Sequence, residues 1–451
     1  MKNLHERAAG KLILLALTLS LLLSSLCSCD IFSYVADDKA EIENNIANST
    51  DPYYEYVTDY LRSWGLPIFD KTKVKYFETC FTQLFNYSQM PTVYEHARLT
   101  AIDFLESYYD EINVKDKNAV TNAILDCYVK ALGDPYSIYR PPVDTEDYMT
   151  DMSGKFGGIG IVVEYTEDDR ILVNTVYPNS PAEKAGIKVG DYIHAVDGQT
   201  VEEIGVDYAI NYVRGEIGTP VELTLLRGSE YVTVTAIRDA VEEINVDYYI
   251  FTDTNIGYVQ IVSFKKNTFE QFKACIDALE EAKVDGIIFD LRNNPGGYID
   301  SAVQLVSYLI PDGRTVMSYQ YKGRNPVELI AQDEGSDHVV DLPFVVLCNQ
   351  YTASSAEIFT AALRDYRDDG LIDATIVGTN SYGKGIMQST YYYPLDQSTV
   401  TLTVSFWNPP CGINLHGIGI MPDNKVEITD PTVDTQLEAG IEAMLKLIND
   451  N

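Results

Sequence analysis

Apolar residues recur three and four positions apart from Asp51 to about Ala131, as in Ala101, Phe104, Leu105 and Tyr108, then Val120, Ala123, Ile124 and Cys127. That spacing predicts helices, and the breaker cluster Gly133-Asp134-Pro135 ends them. Residues 142–153 read as an acidic linker. Beyond them the period shortens, with strands over 162–164 and 171–173 and a short helix over Ser180–Ile187. Pro181 stands in the first turn of that helix and Gly186 at its end. Val189–Gly198 reads as a strand and a turn, Val206–Val213 as a helix, and 221–226 and 231–237 as closing strands. From there strands alternate with helices. Strands are predicted at 256–264, 286–291, 344–349, 374–378 and 398–406, and helices at 267–283, 299–309, 355–366 and 433–448. Such alternation predicts an α/β core with largely parallel strands.

The amino terminus changes the picture. Lys2, Arg7 and Lys11 precede an apolar run from Leu12 to Leu26. The run is shorter than the roughly 20 residues a spanning helix needs, and it fits the apolar region of a signal peptide. It ends in Leu26-Cys27-Ser28-Cys29, which resembles a bacterial lipobox with Cys29 as the lipidated residue, although Cys27 departs from the pattern. An uncleaved anchor is the alternative. Both place the protein outside the cytoplasm, in the cell envelope; on the lipobox reading, lipid at Cys29 holds it to the outer face of a bacterial membrane. Residues 1–29 are then the leader ending at that cysteine, and the polar stretch 30–50 is a tether.

Composition excludes other classes. Lys+Arg number 33 against Asp+Glu 67, a net charge of -34 that repels phosphate backbones and argues against nucleic-acid partners. No Cys-x-x-Cys pair or His-Glu-x-x-His motif occurs, so neither a metal nor another cofactor is expected. Cys80, Cys127, Cys275, Cys348 and Cys411 fall in no motif and read as packed thiols.

Chemistry concentrates where predicted strands end. Asp290-Leu-Arg-Asn-Asn-Pro-Gly-Gly297 follows one strand, and its glycines let backbone N–H groups approach a ligand as in an oxyanion hole. A plain strand-to-helix turn with an Asp290–Arg292 ion pair is the other reading. Tyr351-Thr-Ala-Ser-Ser-Ala-Glu357 follows the next strand and puts Ser354 at a helix start, as a helix cap or as an exposed nucleophile. Gly378-Thr-Asn-Ser-Tyr-Gly-Lys-Gly385 nearly spells a phosphate-binding loop, but Gly385 replaces the hydroxyl that would hold magnesium. A buried Lys384 loses its proton more easily and suits a general base. His5, His96, His194 and His338 lie apart from any hydroxyl motif, and His416, ahead of Gly417-Ile-Gly-Ile-Met-Pro-Asp423, is the alternative base, so a serine served by lysine is preferred over a Ser-His pair.

Over about 95–425 the chain resembles the carboxyl-terminal processing proteases, the tail-specific serine peptidases of the S41 type. The motifs that carry the resemblance come in the family's order. They are Leu132-Gly-Asp-Pro-Tyr-Ser-Ile-Tyr139, Gly154-Lys-Phe-Gly-Gly-Ile-Gly160, the strand Ile256–Phe264, Asp290–Gly297, Thr352–Ile358, Gly383-Lys-Gly385 with Gln388, and Gly419-Ile-Met-Pro-Asp423. The resemblance implies an N-terminal helical region (51–153), a PDZ-like β-rich domain (154–240), a crotonase- or ClpP-like α/β protease core (241–430) and a C-terminal helix (431–451). It implies Ser354 as nucleophile, Lys384 as base and Gln388 as the residue that positions the lysine. Gly296 or Gly297, with Ser355, would supply the oxyanion hole. Ser355 stands where the pattern usually has alanine and is a rival nucleophile. Asp368-Asp-Gly370 reads as a loop insertion.

The PDZ resemblance implies peptide binding through Gly157, Gly158, Ile159, Gly160 and Ile161, with Ile210 and Val213 lining a pocket for an apolar C-terminal residue. The expected partners are therefore proteins or peptides with apolar C-termini, and analogy adds a homodimer formed through the helical block. The competing account is a membrane-anchored PDZ adaptor that binds tails without cutting them.

Overall fold

The structure, a computed structural model, describes residues 70–81 and 116–450 apart from 167–169, 322, 333–339 and 431. The leader, Cys29, the tether and 51–69 and 82–115 of the helical block lie outside the described residues. Among the described residues no helix is long and apolar enough to cross a membrane.

The chain divides into two units. The smaller joins the N-terminal part to 390–402. Its helices Lys71–Phe81 and Lys117–Ala131 bury Phe77, Phe81, Ile124, Leu125 and Tyr128. Strand Ile138–Arg140 pairs antiparallel with Thr399–Thr401. Lys73 is buried there and bonds Asp396 at 2.8 Å and Asn122 at 3.1 Å, so its charge has partners where water is excluded.

The larger unit carries an antiparallel sheet in the order 161–165, 171–176, 192–196, 220–227, 230–237. Ile171, Val173, Ile193, Val221, Leu223 and Leu225 alternate inward from it and meet Ala209 and Val213 of the Val206–Val213 helix. The chain enters and leaves this domain through a two-stranded ribbon, Lys155–Gly158 with Asp239–Glu242.

The core sheet runs Val246–Phe251, Ile256–Ile261, Gly286–Asp290, Phe344–Cys348, Ala374–Gly378, Asn424–Lys425, parallel except for its first strand. Both faces are covered, so the central strands are buried along their whole length and apolar but for Asp290 at the end of Gly286–Asp290. Helices Thr268–Ala282, Ile299–Ser307 and Ser355–Asp368 pack on one face, and Thr435–Asp450 sits on the other through Ala443 and Met444. The α/β expectation therefore holds.

Several local readings change. Residues 142–153 form a helix rather than a linker, with Pro142 in its first turn, Asp144 complementing the dipole and Thr145 buried. Asp368-Asp-Gly370 is the capped end of the Ser355–Asp368 helix, where Gly370 takes a φ of 71°. Cys411 is exposed, while the other four described thiols are buried.

Candidate active site

The serine segment leaves the buried strand Phe344–Cys348 and is anchored before its helix begins. Asn349 N–H donates to Thr352 Oγ1 at 2.9 Å, Thr352 Oγ1 donates to the Leu291 carbonyl at 2.8 Å, and Ala353 N–H donates to the Asn294 carbonyl at 2.9 Å. Ser354 then adopts φ 56°, ψ -119°. For a residue with a Cβ such a backbone costs about 1–3 kcal/mol and persists only where its surroundings hold it. Ser354 is half-buried, so its hydroxyl can be reached. Ser355 is fully buried and its hydroxyl donates to the Gly297 carbonyl at 2.9 Å. The rival nucleophile is thus enclosed and engaged.

The Pro-Gly-Gly turn lies directly against this serine. A Cβ placed on Gly296 would come within 2.8 Å of both Ser354 Cβ and Ser355 N, and one on Gly297 within 2.1 Å of the Phe264 carbonyl oxygen. No larger residue fits either position. Asn294 shapes the turn, with Nδ2 donating to the Ile261 carbonyl at 2.7 Å and Oδ1 accepting from Gly296 N–H at 2.8 Å. The Gly296 amide is therefore taken, which corrects its reading as an oxyanion donor. The Gly297 and Ser355 amides have no acceptor among the described residues. Ser355 is the first residue of its helix, where N–H groups have no partner within the helix.

Glu357 joins serine and lysine. Its carboxylate is fully buried. Oε2 accepts from Ser354 N–H at 2.9 Å and from Lys384 N–H at 2.8 Å, while Oε1 accepts from Gly383 N–H at 2.7 Å and Ser381 Oγ at 2.6 Å. One oxygen atom thus binds the backbones of both candidate dyad residues. Lys384 is half-buried rather than enclosed, and its carbonyl accepts from Trp407 Nε1 at 3.1 Å. Gly385 is required by the approach of His416, whose backbone nitrogen would lie 2.4 Å from a Cβ there. That close approach excludes the Ser or Thr of a phosphate loop. Gln388, half-buried, lies on strand Ile386–Tyr392, four residues beyond the lysine.

Behind the turn, Asp290 is buried and accepts from Tyr258 Oη at 2.7 Å and from the Arg292 side chain. Arg292 also grips Asp434, which starts the last helix, at 2.6 and 2.8 Å. Burial disfavours the Arg292 charge, yet its bonds to Asp434 and Asp290 hold the guanidinium above its ordinary pKa. Hydrogen bonds from Arg292 hold the Asp434 carboxyl below the usual range. Burial, with Glu357 nearby, pushes the Cys348 thiol up to about 12, so it is no nucleophile.

In the smaller β-domain, the Ile159 and Gly160 amides donate to nothing among the described residues, while their carbonyls accept from Ala182 and Tyr177 at 2.8 and 3.0 Å. Two adjacent N–H groups without an acceptor among the described residues, beside the edge strand Ile161–Tyr165, suit a carboxylate. Gly157 and Gly158 belong to the ribbon and pair with Ala240 and Asp239, so they sit outside that loop. Ile159 and Val213 are spent in the domain core at 1% and 5% exposure, which leaves Ile161 and Ile210, half-buried at its margin, as pocket walls.

Sequence reasoning missed Glu357, Asn294 and Asp434. Glu357 had a local signal, the Ser-x-x-Glu spacing of a helix start, but nothing nearby marked its distant partners.

Comparison with known proteins follows the same division. Residues 255–426 match the model of peptidase family S41, and 172–227 match that of a PDZ domain. The carboxy-terminal processing protease CtpA of Bacillus subtilis (strain 168) is 35% identical over 334 residues, covering 73% of this chain and 69% of that protein. A probable CtpA-like serine protease of Staphylococcus haemolyticus (strain JCSC1435) is 34% identical over 334 residues, and the match spans 74% of this chain and 65% of that protein's length. A solved photosystem II D1 C-terminal processing protease aligns at 25% identity with a TM-score of 0.41, covering 76% of this chain and 90% of that one.

Proposed function

The chain belongs to peptidase family S41, and from that premise we propose that it is an exported serine endopeptidase that cuts proteins selected by their C-terminal tails. Ser354 is the nucleophile, Lys384 its base and Gln388 the positioning residue for the lysine. The observation that carries this reading is the shared Glu357 Oε2, which tethers the Ser354 and Lys384 backbones to one atom while Gly296 packs on Ser354.

Neutral Lys384 takes the Ser354 proton, and the oxygen attacks a peptide carbonyl. The Gly297 and Ser355 amides donate to the oxyanion, each donor worth about 2.7–4 kcal/mol of barrier. Lys384 then protonates the leaving amine; water attacks the acyl carbon as it gives a proton to Lys384, the bond to Ser354 Oγ breaks, and Lys384 returns that proton to Oγ. A carboxylate in place of Gln388 would hold the lysine proton on; an amide adds no charge. The Ile159–Ile161 loop captures the tail's carboxylate as the tail lies along the edge strand.

The Cys29 lipid holds the enzyme to the outer face of the membrane, and the helical block joins two copies. Incubation with an unfolded protein bearing an apolar C-terminus tests the reading. Wild type is expected to degrade it, and Ser354→Ala and Lys384→Arg are expected to bind its tail and leave it intact. Cleavage by either variant, or tail binding without cleavage by wild type as the adaptor account requires, contradicts it.

A further inference from the structure

Ser355 fills a position that alanine usually takes in the pattern this chain resembles, and its hydroxyl is neither exposed nor idle. It is fully buried and donates to the Gly297 carbonyl at 2.9 Å. Gly297 is one of two adjacent glycines, both at positive φ, and so has little intrinsic resistance to peptide rotation. Its neighbours are fixed by the backbone of Phe264, with Phe264 N–H on the Gly296 carbonyl at 2.9 Å and Tyr298 N–H on the Phe264 carbonyl at 2.7 Å. The Gly297 carbonyl itself is held by Ser355 Oγ. Ser355 thus contributes one oxyanion donor through its backbone and restrains the residue that carries the other.

Resting on the serine-peptidase reading, we infer that the Ser355 side chain is a positioning residue of the oxyanion hole, keeping the Gly297 and Ser355 amides aimed at one point. The hydroxyl touches neither the substrate nor the lysine. Its effect therefore falls on the tetrahedral state alone, where misaimed donors lose most.

The test compares wild type with Ser355→Ala, and with Ser355→Cys as a variant of closer size and weak donor strength. Three measurements are made: steady-state kinetics across pH, affinity for a peptide boronate whose boron bonds Ser354 Oγ, and affinity for the same peptide without boron. Loss of one neutral hydrogen bond corresponds to about fivefold. In both variants kcat and boronate affinity are expected to fall together by about that factor. KM, affinity for the boron-free peptide and the pH midpoint of kcat/KM are expected to stay in place, and the melting temperature to fall by no more than the few degrees that one hydrogen bond supplies. Unchanged kcat and boronate affinity in an active enzyme overturn this inference and leave the peptidase reading standing. So does a moved pH midpoint, which would put the hydroxyl on the lysine, or a loss matched by falling melting temperature and rising KM. A wild type that neither hydrolyses peptide nor binds the boronate overturns the peptidase reading, and this inference with it.

Discussion

Two helices of this protein start with the same four-residue signature and use it differently. Thr200-Val-Glu-Glu203 forms a self-contained box. Thr200 has an extended backbone (φ -75°), Glu203 N–H donates to Thr200 Oγ1 at 3.3 Å, and the exposed Glu203 carboxylate accepts from Thr200 N–H at 3.1 Å. Ser354-Ser-Ala-Glu357 keeps the return bond from N–H to carboxylate but gives up the relaxed backbone, and it buries the carboxylate. At the first start the acid serves its own turn. At the second it serves a loop 24 to 27 residues away, through Ser381, Gly383 and Lys384. A local motif that elsewhere adds about 1 kcal/mol to a helix has become the joint that brings serine and lysine segments together.

The comparison breaks most visibly at the carboxylate. Glu357→Gln keeps the shape but turns an NH2 group toward donors, leaving at least one buried N–H or O–H unsatisfied. Each such group costs about 1–3 kcal/mol, so a loss of roughly 2–4 kcal/mol in denaturant unfolding is expected, along with at least a tenfold fall in kcat. The same change at the exposed Glu203 is expected to stay within about 0.5 kcal/mol and leave kcat alone. Equal effects at the two sites would remove the distinction.

A smaller effect separates the two starts by whether glycine has backbone strain to relieve. Ser354→Gly relieves the positive φ and is expected to unfold about 0.5–1 kcal/mol later than Ser354→Ala, which keeps the strain. Thr200→Gly has no strain to relieve and is expected to cost a few tenths of a kcal/mol against wild type. Thermal unfolding of the variants reads both.

The smallest effect sharpens the picture of what supports the Pro-Gly-Gly turn. Asp434→Asn preserves the cap that Asp434 Oδ1 provides to Leu437 N–H but removes the charge facing Arg292. Because the folded-state pKa of Asp434 is depressed, its contribution is complete above the unfolded value, about 3.9, and is lost as pH falls through the folded one. The stability gap between wild type and Asp434→Asn should be open at pH 7 and begin to close only as pH falls below the unfolded value of about 3.9. A gap independent of pH would assign the effect to capping.

What the sequence made legible follows from how local each feature is. The helix Val206–Val213 and the strand Ala374–Gly378 were readable to the residue, because one has a strong apolar stripe and the other a short run rich in apolar and β-branched residues closed by glycine. The antiparallel edge strand Val246–Phe251 was not, since Asp247, Tyr248 and Tyr249 face solvent and leave no apolar run. The same holds for Val327–Ile330, which is largely exposed. At the site, Ser354, Lys384 and the Pro-Gly-Gly turn stood out as residue types after strands. Sequence could not tell that Asn294 occupies the Gly296 amide, or that Ile159 and Val213 face the core, because both depend on which side of the backbone a group takes.

The central claim is that Lys384 makes Ser354, and not its neighbour, reactive. Treatment with a serine-directed peptidyl phosphonate followed by peptide mass spectrometry reads this directly. The account predicts one adduct, on Ser354, in wild type and none in Lys384→Arg. An adduct on Ser355, or undiminished labelling of Ser354 once the lysine is replaced, would contradict it.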